Sequence, residues 1–185
     1  MRRQKPMWTS ADLAAAVGGK KVYGKEGGTF SGVSIDTRTL QPGDLFVAIR
    51  GKRFDGHDFL RQAFEKKAAG VVVDHWPVKG LAVPCPGSVW QVKETQTGLA
   101  DLARFHRQRF RIPVIGVTGS AGKTTVKAML HHILSETDEV LATEGTQNNL
   151  IGVPLTLFRL HGGQGHRDRR SMLGEELKVL LRQRP

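Results

Sequence analysis

Residues 113–125 read Pro113-Val114-Ile115-Gly116-Val117-Thr118-Gly119-Ser120-Ala121-Gly122-Lys123-Thr124-Thr125, and this stretch decides the fold. An apolar run of buried-strand length enters a glycine-bearing loop. Beyond it, Val126, Met129, Leu130, Ile133 and Leu134 follow at i, i+3, i+4, i+7 and i+8, one apolar helix stripe expected to face a sheet. Glycine lets such a loop curl until successive N–H groups point at phosphate oxygens, and the helix N-terminus adds about half a positive charge. Lys123 suits β- and γ-phosphates, and the Thr124 hydroxyl suits Mg²⁺. The strict phosphate-loop pattern has glycine five residues before Gly122, where this chain has Val117, so the loop is a shortened variant. The candidate nucleotide set is Gly119, Ser120, Ala121, Gly122, Lys123, Thr124 and Thr125, with Thr124 as the metal ligand.

Working outward, Val140-Leu141-Ala142 predicts a further strand, followed by an Asn-rich loop and a helix starting near Pro154. Upstream, residues 8–19 read as a short helix capped by Thr9 or Ser10 and stopped by Gly18-Gly19. Phe30, Val33 and Ile35 lead into Asp36-Thr37-Arg38, and a Pro42-Gly43 turn precedes the strand Asp44 to Ile49. Phe59, Leu60, Ala63, Phe64 and Ala68 have helical spacing, with Val71-Val72-Val73 as the next strand. Ser88 to Val92 and a helix from about Thr97 to Arg109 complete this half. Strands alternating with helices predict an α/β fold with a parallel sheet. The expected boundary near Arg111-Ile112 makes a domain of 1–110 and a phosphate-loop domain of 111–185.

The 185 residues carry a formal charge of +11, with 39% hydrophobic residues and 22 glycines, which excludes a disordered chain. Cys85 is the only cysteine, so no intramolecular disulfide or cysteine-based zinc site is available, and a cytoplasmic protein is expected. Leu13 to Val17 is too short for a signal-peptide core, and no membrane-spanning run is present. The charge raises nucleic-acid binding as a competing function. The basic residues are spread along the chain, however, and only 6% of residues are aromatic, which favours a solvated basic face and no nucleic-acid partner. A small kinase or plain nucleotide-binding module is the other alternative. His131 and His132 are helical neighbours about 100° apart and make no i, i+4 metal pair. Asp55 and Asp58 suit a helix N-terminus, and His57 suits substrate contact or turn-stabilising hydrogen bonds equally.

Gly119 to Thr125, together with Thr143-Glu144-Gly145-Thr146-Gln147-Asn148-Asn149-Leu150-Ile151-Gly152-Val153-Pro154, resembles the Mur ligases of peptidoglycan synthesis. Asp36-Thr37-Arg38, Pro42 to Ala48 and Asp55-Gly56-His57 resemble the small uridine-nucleotide-binding domain of that family. Thr146 departs from the family, which commonly has asparagine there. Ser120 and the Asn148-to-Pro154 run favour the dipeptide-adding branch. The resemblance implies an ATP-dependent ligase, Mg²⁺-assisted and monomeric when complete, that joins D-alanyl-D-alanine to UDP-N-acetylmuramoyl-tripeptide through an acyl phosphate. It implies that Lys123 is catalytic, that Asn148 and Asn149 line the ATP side, and that Thr37, Arg38, Asp55, Gly56 and His57 hold the UDP substrate.

Past Leu160 the resemblance stops. The family has a buried strand ending in Glu-Met-Gly or Glu-Leu-Gly, whereas this chain runs through His166-Arg167-Asp168-Arg169-Arg170 to Pro185. The expectation is a truncated or frame-disrupted member lacking that strand, with an uncovered sheet edge, low stability and doubtful ligase activity.

Overall fold

The computed structural model describes residues 7–24, 27–51, 53–76, 85–137, 139–143 and 150–160, together with the backbone of 178–182. The chain divides into two compact units, Met1–Leu102 and Ala103–Pro185. Among the described residues no helix is long and apolar enough to cross a membrane.

The first unit opens with β1 (Trp8–Thr9), which runs directly into α1 (Ser10–Val17). The Thr9 hydroxyl accepts the Asp12 N–H at 3.1 Å, and the Asp12 carboxylate accepts the Thr9 N–H at 2.8 Å, a reciprocal capping box. Gly18 ends α1 in the left-handed region at φ 58°, which favours glycine. Then come β2 (Lys20–Tyr23), β3 (Thr29–Phe30), β4 (Val33–Ser34) and β5 (Leu45–Val47). A 3₁₀ turn over Gly56–Phe59 leads into α2 (Leu60–Glu65), followed by β6 (Gly70–Val73), β7 (Ser88–Gln91) and α3 (Thr95–Arg107).

Strand β1 pairs antiparallel with β3. The other strands form one sheet in the order β2-β7-β6-β5-β4, parallel except at β2–β7. Every residue of β5 and β6 is buried, as expected of parallel strands covered on both faces. Leu60, Ala63 and Phe64 of α2 pack with Phe46, Val71, Val73 and Val89. Burying a side chain such as Leu60 is worth about 1.5–3 kcal/mol, and this contact holds α2 on the sheet. The helix expected over 56–70 is shorter than its apolar spacing suggests, because it begins as a 3₁₀ turn and stops where Lys67 takes φ 66°.

The second unit contains β8 (Val114–Val117), α4 (Lys123–Ser135), β9 (Val140–Ala142), α5 (Gly152–Leu157) and β10 (Lys178–Arg182). Its sheet is parallel in the order β8-β10-β9, with Val179 opposite Val114 and Leu141. The expected gap is therefore corrected: a strand does lie between β8 and β9, supplied by Lys178-Val179-Leu180-Leu181-Arg182. Its three central apolar residues suit a parallel strand with neighbours on both sides.

The rotation of α4 is a second correction. Val126, Met129 and Ile133 are 45%, 58% and 63% exposed, while Lys123 and Lys127 are buried. The inward line of α4 therefore starts with two lysines, and much of the apolar stripe lies beside it. Each lysine ammonium finds backbone carbonyls: Lys123 those of Gly119 and Ser120, and Lys127 that of Thr143. Hydrogen bonds thus satisfy the two buried cations, which burial alone would make costly.

His106 is buried, with Nε2 donating to the Leu160 carbonyl at 2.8 Å. Burial lowers its pKa below the ordinary histidine value, and the charge of Arg109 acts in the same direction against the raising effect of that carbonyl. Within the second unit it ties the C-terminal end of α3 to Leu160, three residues past α5.

Candidate functional site

The phosphate loop lies between β8 and α4. Gly119 has φ 145° and Gly122 has φ 75°, backbone conformations that L-residues with side chains rarely adopt. A Cβ on Gly122 would meet nothing within 4 Å, so the dihedral and not crowding demands glycine there. Gly122 caps α4, and its carbonyl accepts the Val126 N–H at 2.9 Å. Ser120, Ala121, Gly122, Thr124 and Thr125 are exposed. The Lys123 ammonium folds back onto the carbonyls of Gly119 and Ser120. A cation held against its own loop, at a helix N-terminus, is placed to meet an anion arriving from the exposed side. Asn148 and Asn149 lie outside the described residues, as does Asp168.

Sequence reasoning missed Lys127. Its ammonium donates to the Thr143 carbonyl at 2.5 Å and reaches the Thr143 hydroxyl at 3.5 Å, tying the end of β9 to the helix that carries the loop. Its position four residues after Lys123 was the available signal, since both fall on one helix face.

The first unit holds a cavity of about 790 Å³ beyond the carboxyl ends of β4 and β5, where open parallel sheets characteristically bind ligands. Thr37, Arg38 and Gly56 line it, together with Arg53, Phe54 and Phe59. Arg38 chelates Asp36 through Nε at 3.0 Å and a terminal nitrogen at 2.6 Å, and this guanidinium holds the Asp36 carboxyl below its ordinary value. Thr37 is buried, with its hydroxyl donating to Gln62 at 2.5 Å and its carbonyl accepting from Lys66 at 2.7 Å. Gly56 is needed for space: a Cβ there would stand 2.7 Å from the Ile49 nitrogen and 2.8 Å from the Ala48 carbonyl carbon. Phe54 is 72% exposed and Phe59 38%, leaving aromatic surface at the cavity. None of these three was read as a site residue: Arg53 and Phe54 sit in a loop without periodicity, and the spacing of Phe59 assigned it to the apolar face of the following helix.

Asp55 and His57 do not line this cavity. The Asp55 carboxylate caps the 3₁₀ turn, accepting the His57 backbone N–H at 3.0 Å and the His57 Nδ1–H at 2.6 Å, while Arg50 Nε donates to its other oxygen at 2.9 Å. Burial pushes the Asp55 pKa up, but the His57 and Arg50 hydrogen bonds outweigh it and hold the group at about 2. His57 is buried. Of the five residues expected at the UDP substrate, the structure brings Thr37, Arg38 and Gly56 to the cavity and places Asp55 and His57 in the support behind it.

Two family profiles match this architecture. The Mur ligase family, catalytic domain, matches residues 29–107, and the Mur ligase middle domain matches residues 117–166. The chain belongs to the Mur ligase family. This Mur ligase chain is 46% identical over 128 residues to the UDP-N-acetylmuramoyl-tripeptide--D-alanyl-D-alanine ligase of Synechocystis sp., covering 69% of this chain and 28% of that protein. It is 44% identical over 132 residues to the ligase of the same name from Escherichia coli, covering 71% and 28%. Among solved structures, MurF from Acinetobacter baumannii superposes with a TM-score of 0.78 at 27% identity, over 98% of this chain and 36% of that one. MurF ligase from Thermotoga maritima in complex with ADP gives 0.66 at 32% identity, over 82% and 31%. This Mur ligase chain thus spans 28% of the length of those two curated relatives.

Proposed function

We propose that this chain holds the nucleotide end of UDP-N-acetylmuramoyl-tripeptide in the cavity of its first unit and ATP on the phosphate loop of its second. In this reading it is the substrate-holding and ATP-holding part of a cytoplasmic ligase that adds D-alanyl-D-alanine to the tripeptide. One observation carries the reading. A single chain combines a glycine loop that opens a helix with a separate cavity that pairs guanidinium groups with exposed aromatic rings. A plain nucleotide module or small kinase needs the first feature and not the second. The D-alanyl-D-alanine ligases among the curated relatives and the ADP complex of the Thermotoga maritima structure support the same assignment.

The ligation activates the terminal carboxylate of the tripeptide as an acyl phosphate at the expense of ATP. The amine of D-alanyl-D-alanine then displaces phosphate to form the amide. This chain's contribution is positioning and charge neutralisation. Lys123 leaves the Gly119 and Ser120 carbonyls to meet the β- and γ-phosphates, and the backbone amides of the exposed residues 120–122 complete the cradle. Thr124, exposed on the first turn of α4, would hold a magnesium ion through its hydroxyl oxygen. When bound, that ion neutralises phosphate charge. In the first unit, Arg38 and Arg53 face the diphosphate, Phe54 and Phe59 give the uracil a stacking surface, and Thr37 and Gly56 shape the wall between them.

Calorimetric titration of the 185-residue chain with magnesium ATP and, separately, with UDP tests the reading. Both ligands are expected to bind. Lys123→Ala should lose ATP and keep UDP, and Arg38→Ala should do the reverse. Binding of ATP alone reduces the chain to a nucleotide module, and binding of neither ligand refutes the proposal. Product formation with UDP-N-acetylmuramoyl-tripeptide, ATP and D-alanyl-D-alanine then tests ligation itself.

A further inference from the structure

Behind the cavity, beyond the carboxyl ends of β5 and β6, is a cluster that the ligase reading does not use. His57 comes from the 3₁₀ turn, and Asp74 and His75 directly follow β6. Among the described residues these three form the one group whose potential metal-ligand atoms all lie within 4.8 Å of one another. Asp74 Oδ1 is 3.3 Å from His57 Nε2 and 2.5 Å from His75 Nδ1. The two imidazole rings lie one over the other, with centroids 4.7 Å apart and planes inclined by 31°.

The hydrogen-bond pattern turns donor atoms towards one point. Asp55 Oδ1 accepts the His57 backbone N–H and Asp55 Oδ2 accepts from Arg50 Nε, so the 2.6 Å contact of Oδ1 with the imidazole is a hydrogen bond donated by His57 Nδ1. His57 Nε2 is then the ring atom that faces the cluster. Among the described residues the donor aimed at it is the Asp74 backbone N–H, at a long 3.3 Å, while a carboxylate oxygen faces it at the same distance. An imidazole nitrogen and a carboxylate oxygen that face each other are two donor atoms one divalent ion can share. For bonds of about 2.0–2.1 Å, a tetrahedral zinc ion sets neighbouring ligand atoms about 3.3–3.4 Å apart, and the Nε2 to Oδ1 separation meets that requirement.

The surroundings are arranged as a supporting shell. Asp55 on Nδ1 is the carboxylate that orients a metal-binding histidine and fixes its tautomer. Arg50 takes the outer oxygens of both acids, Asp55 Oδ2 at 2.9 Å and Asp74 Oδ2 at 3.7 Å, so both inner oxygens remain turned to His57. Glu94, which follows β7, lies close enough for the charge of Asp74 to act on it and adds to the negative potential. His57 is buried, Asp74 is half-buried and His75 is exposed, so an ion has a protein wall on one side and an entry on the other.

We propose that His57 Nε2, Asp74 Oδ1 and His75 Nδ1 form a binding site for a zinc-class divalent ion, with water as the fourth ligand. Two nitrogens and one carboxylate select a borderline ion such as zinc over magnesium or calcium. On binding, the His75 ring swings out of its 2.5 Å contact with Asp74, so that Nδ1 faces the ion and the ring proton is carried on Nε2. The ion clamps the segment after β6 to the turn containing Gly56, which lines the cavity.

The test is calorimetric titration of the EDTA-stripped 185-residue chain with zinc chloride, with cobalt(II) absorption reporting the coordination geometry. One equivalent should bind, with a tetrahedral cobalt spectrum and a raised Tm. His75→Ala changes an exposed side chain and should retain the circular dichroism of the fold while losing the site. Asp55→Asn, which removes the orienting carboxylate, should weaken binding about tenfold or more. The double variant His131→Ala, His132→Ala should bind as the parent does. Absence of saturable one-to-one binding, or undiminished binding in His75→Ala, overturns the proposal.

Discussion

Replacing Asp55 by asparagine preserves an oxygen at the cap of the 3₁₀ turn and removes only the charge shared by His57 and Arg50. The fall of the Asp55 pKa from 3.8 to about 2 corresponds to about 2.5 kcal/mol of folding free energy at face value. About a third of the side chain, 32%, meets solvent, and screening there reduces the expected value to about 1–1.5 kcal/mol. The sign follows from the direction of the shift. A carboxyl whose folded pKa lies below its unfolded one stabilises fully above the unfolded value of about 4, and that stabilisation is lost as pH falls towards about 2. Urea unfolding of the parent and Asp55→Asn chains in EDTA, followed by tryptophan fluorescence, measures the difference. All three tryptophans, Trp8, Trp76 and Trp90, lie in the first unit, so the signal reports that unit. The gap should be constant from pH 7 to about 5 and close progressively between pH 4 and 2.5. A gap that is absent at pH 7, or that keeps its full size at pH 2.5, refutes the electrostatic account of this network.

The backbone around the cavity gives a second expectation: Gly56→Ala drives a Cβ to within 2.7 Å of the Ile49 nitrogen. It should cost about 1–3 kcal/mol by overpacking and weaken UDP binding, as measured by thermal unfolding and calorimetry. Lys127→Met removes the buried ammonium that meets the Thr143 carbonyl. Loss of that hydrogen bond should cost about 1–3 kcal/mol, seen as faster hydrogen exchange in α4 and β9 and weaker ATP binding, with UDP binding unchanged. Thr9→Ala breaks the capping box of α1 and should lower the stability of the first unit by about 1 kcal/mol, read by the same tryptophan signal.

The phosphate loop was legible in the sequence because every determinant of it is local. An apolar strand, two glycines at positive φ and a helix opening at Lys123 need only neighbours within a dozen residues, and the structure has each of them at its expected place. The helix α1 with Thr9 as one of its two candidate caps, and the strands β5 and β6, were legible for the same reason. Strand β10 was not, because its place is set by pairing with β8 and β9 across long sequence separations. Three apolar residues between a lysine and an arginine carry no mark of the partners they will find. The rotation of α4 escaped because periodicity identifies an apolar stripe without saying what covers it. The inward line of that helix is instead marked by Lys123 and Lys127, whose charges are satisfied by carbonyls that spacing does not predict.

His57 shows most sharply where sequence reasoning runs out. Asp55-Gly56-His57 is a tripeptide whose members part company in space: Gly56 lines the cavity, while Asp55 and His57 turn behind it. A reading by adjacency assigns all three to one ligand. The separation follows from the 3₁₀ turn, in which Asp55 caps the chain at His57 and holds the imidazole away from the cavity. His57 then meets Asp74, seventeen residues further along. The carboxylate that looked like a substrate contact thus fixes the tautomer of its neighbour. The chemical potential of that ring is directed towards Asp74 and His75, so substitutions at Asp55 should disturb UDP binding indirectly, through the position of Gly56. At Arg38, in the cavity wall itself, the loss should be direct, and comparing the two variants for UDP affinity and zinc affinity together separates wall from support. Arg38→Ala should lose the first and keep the second, whereas Asp55→Asn should lose mainly the second.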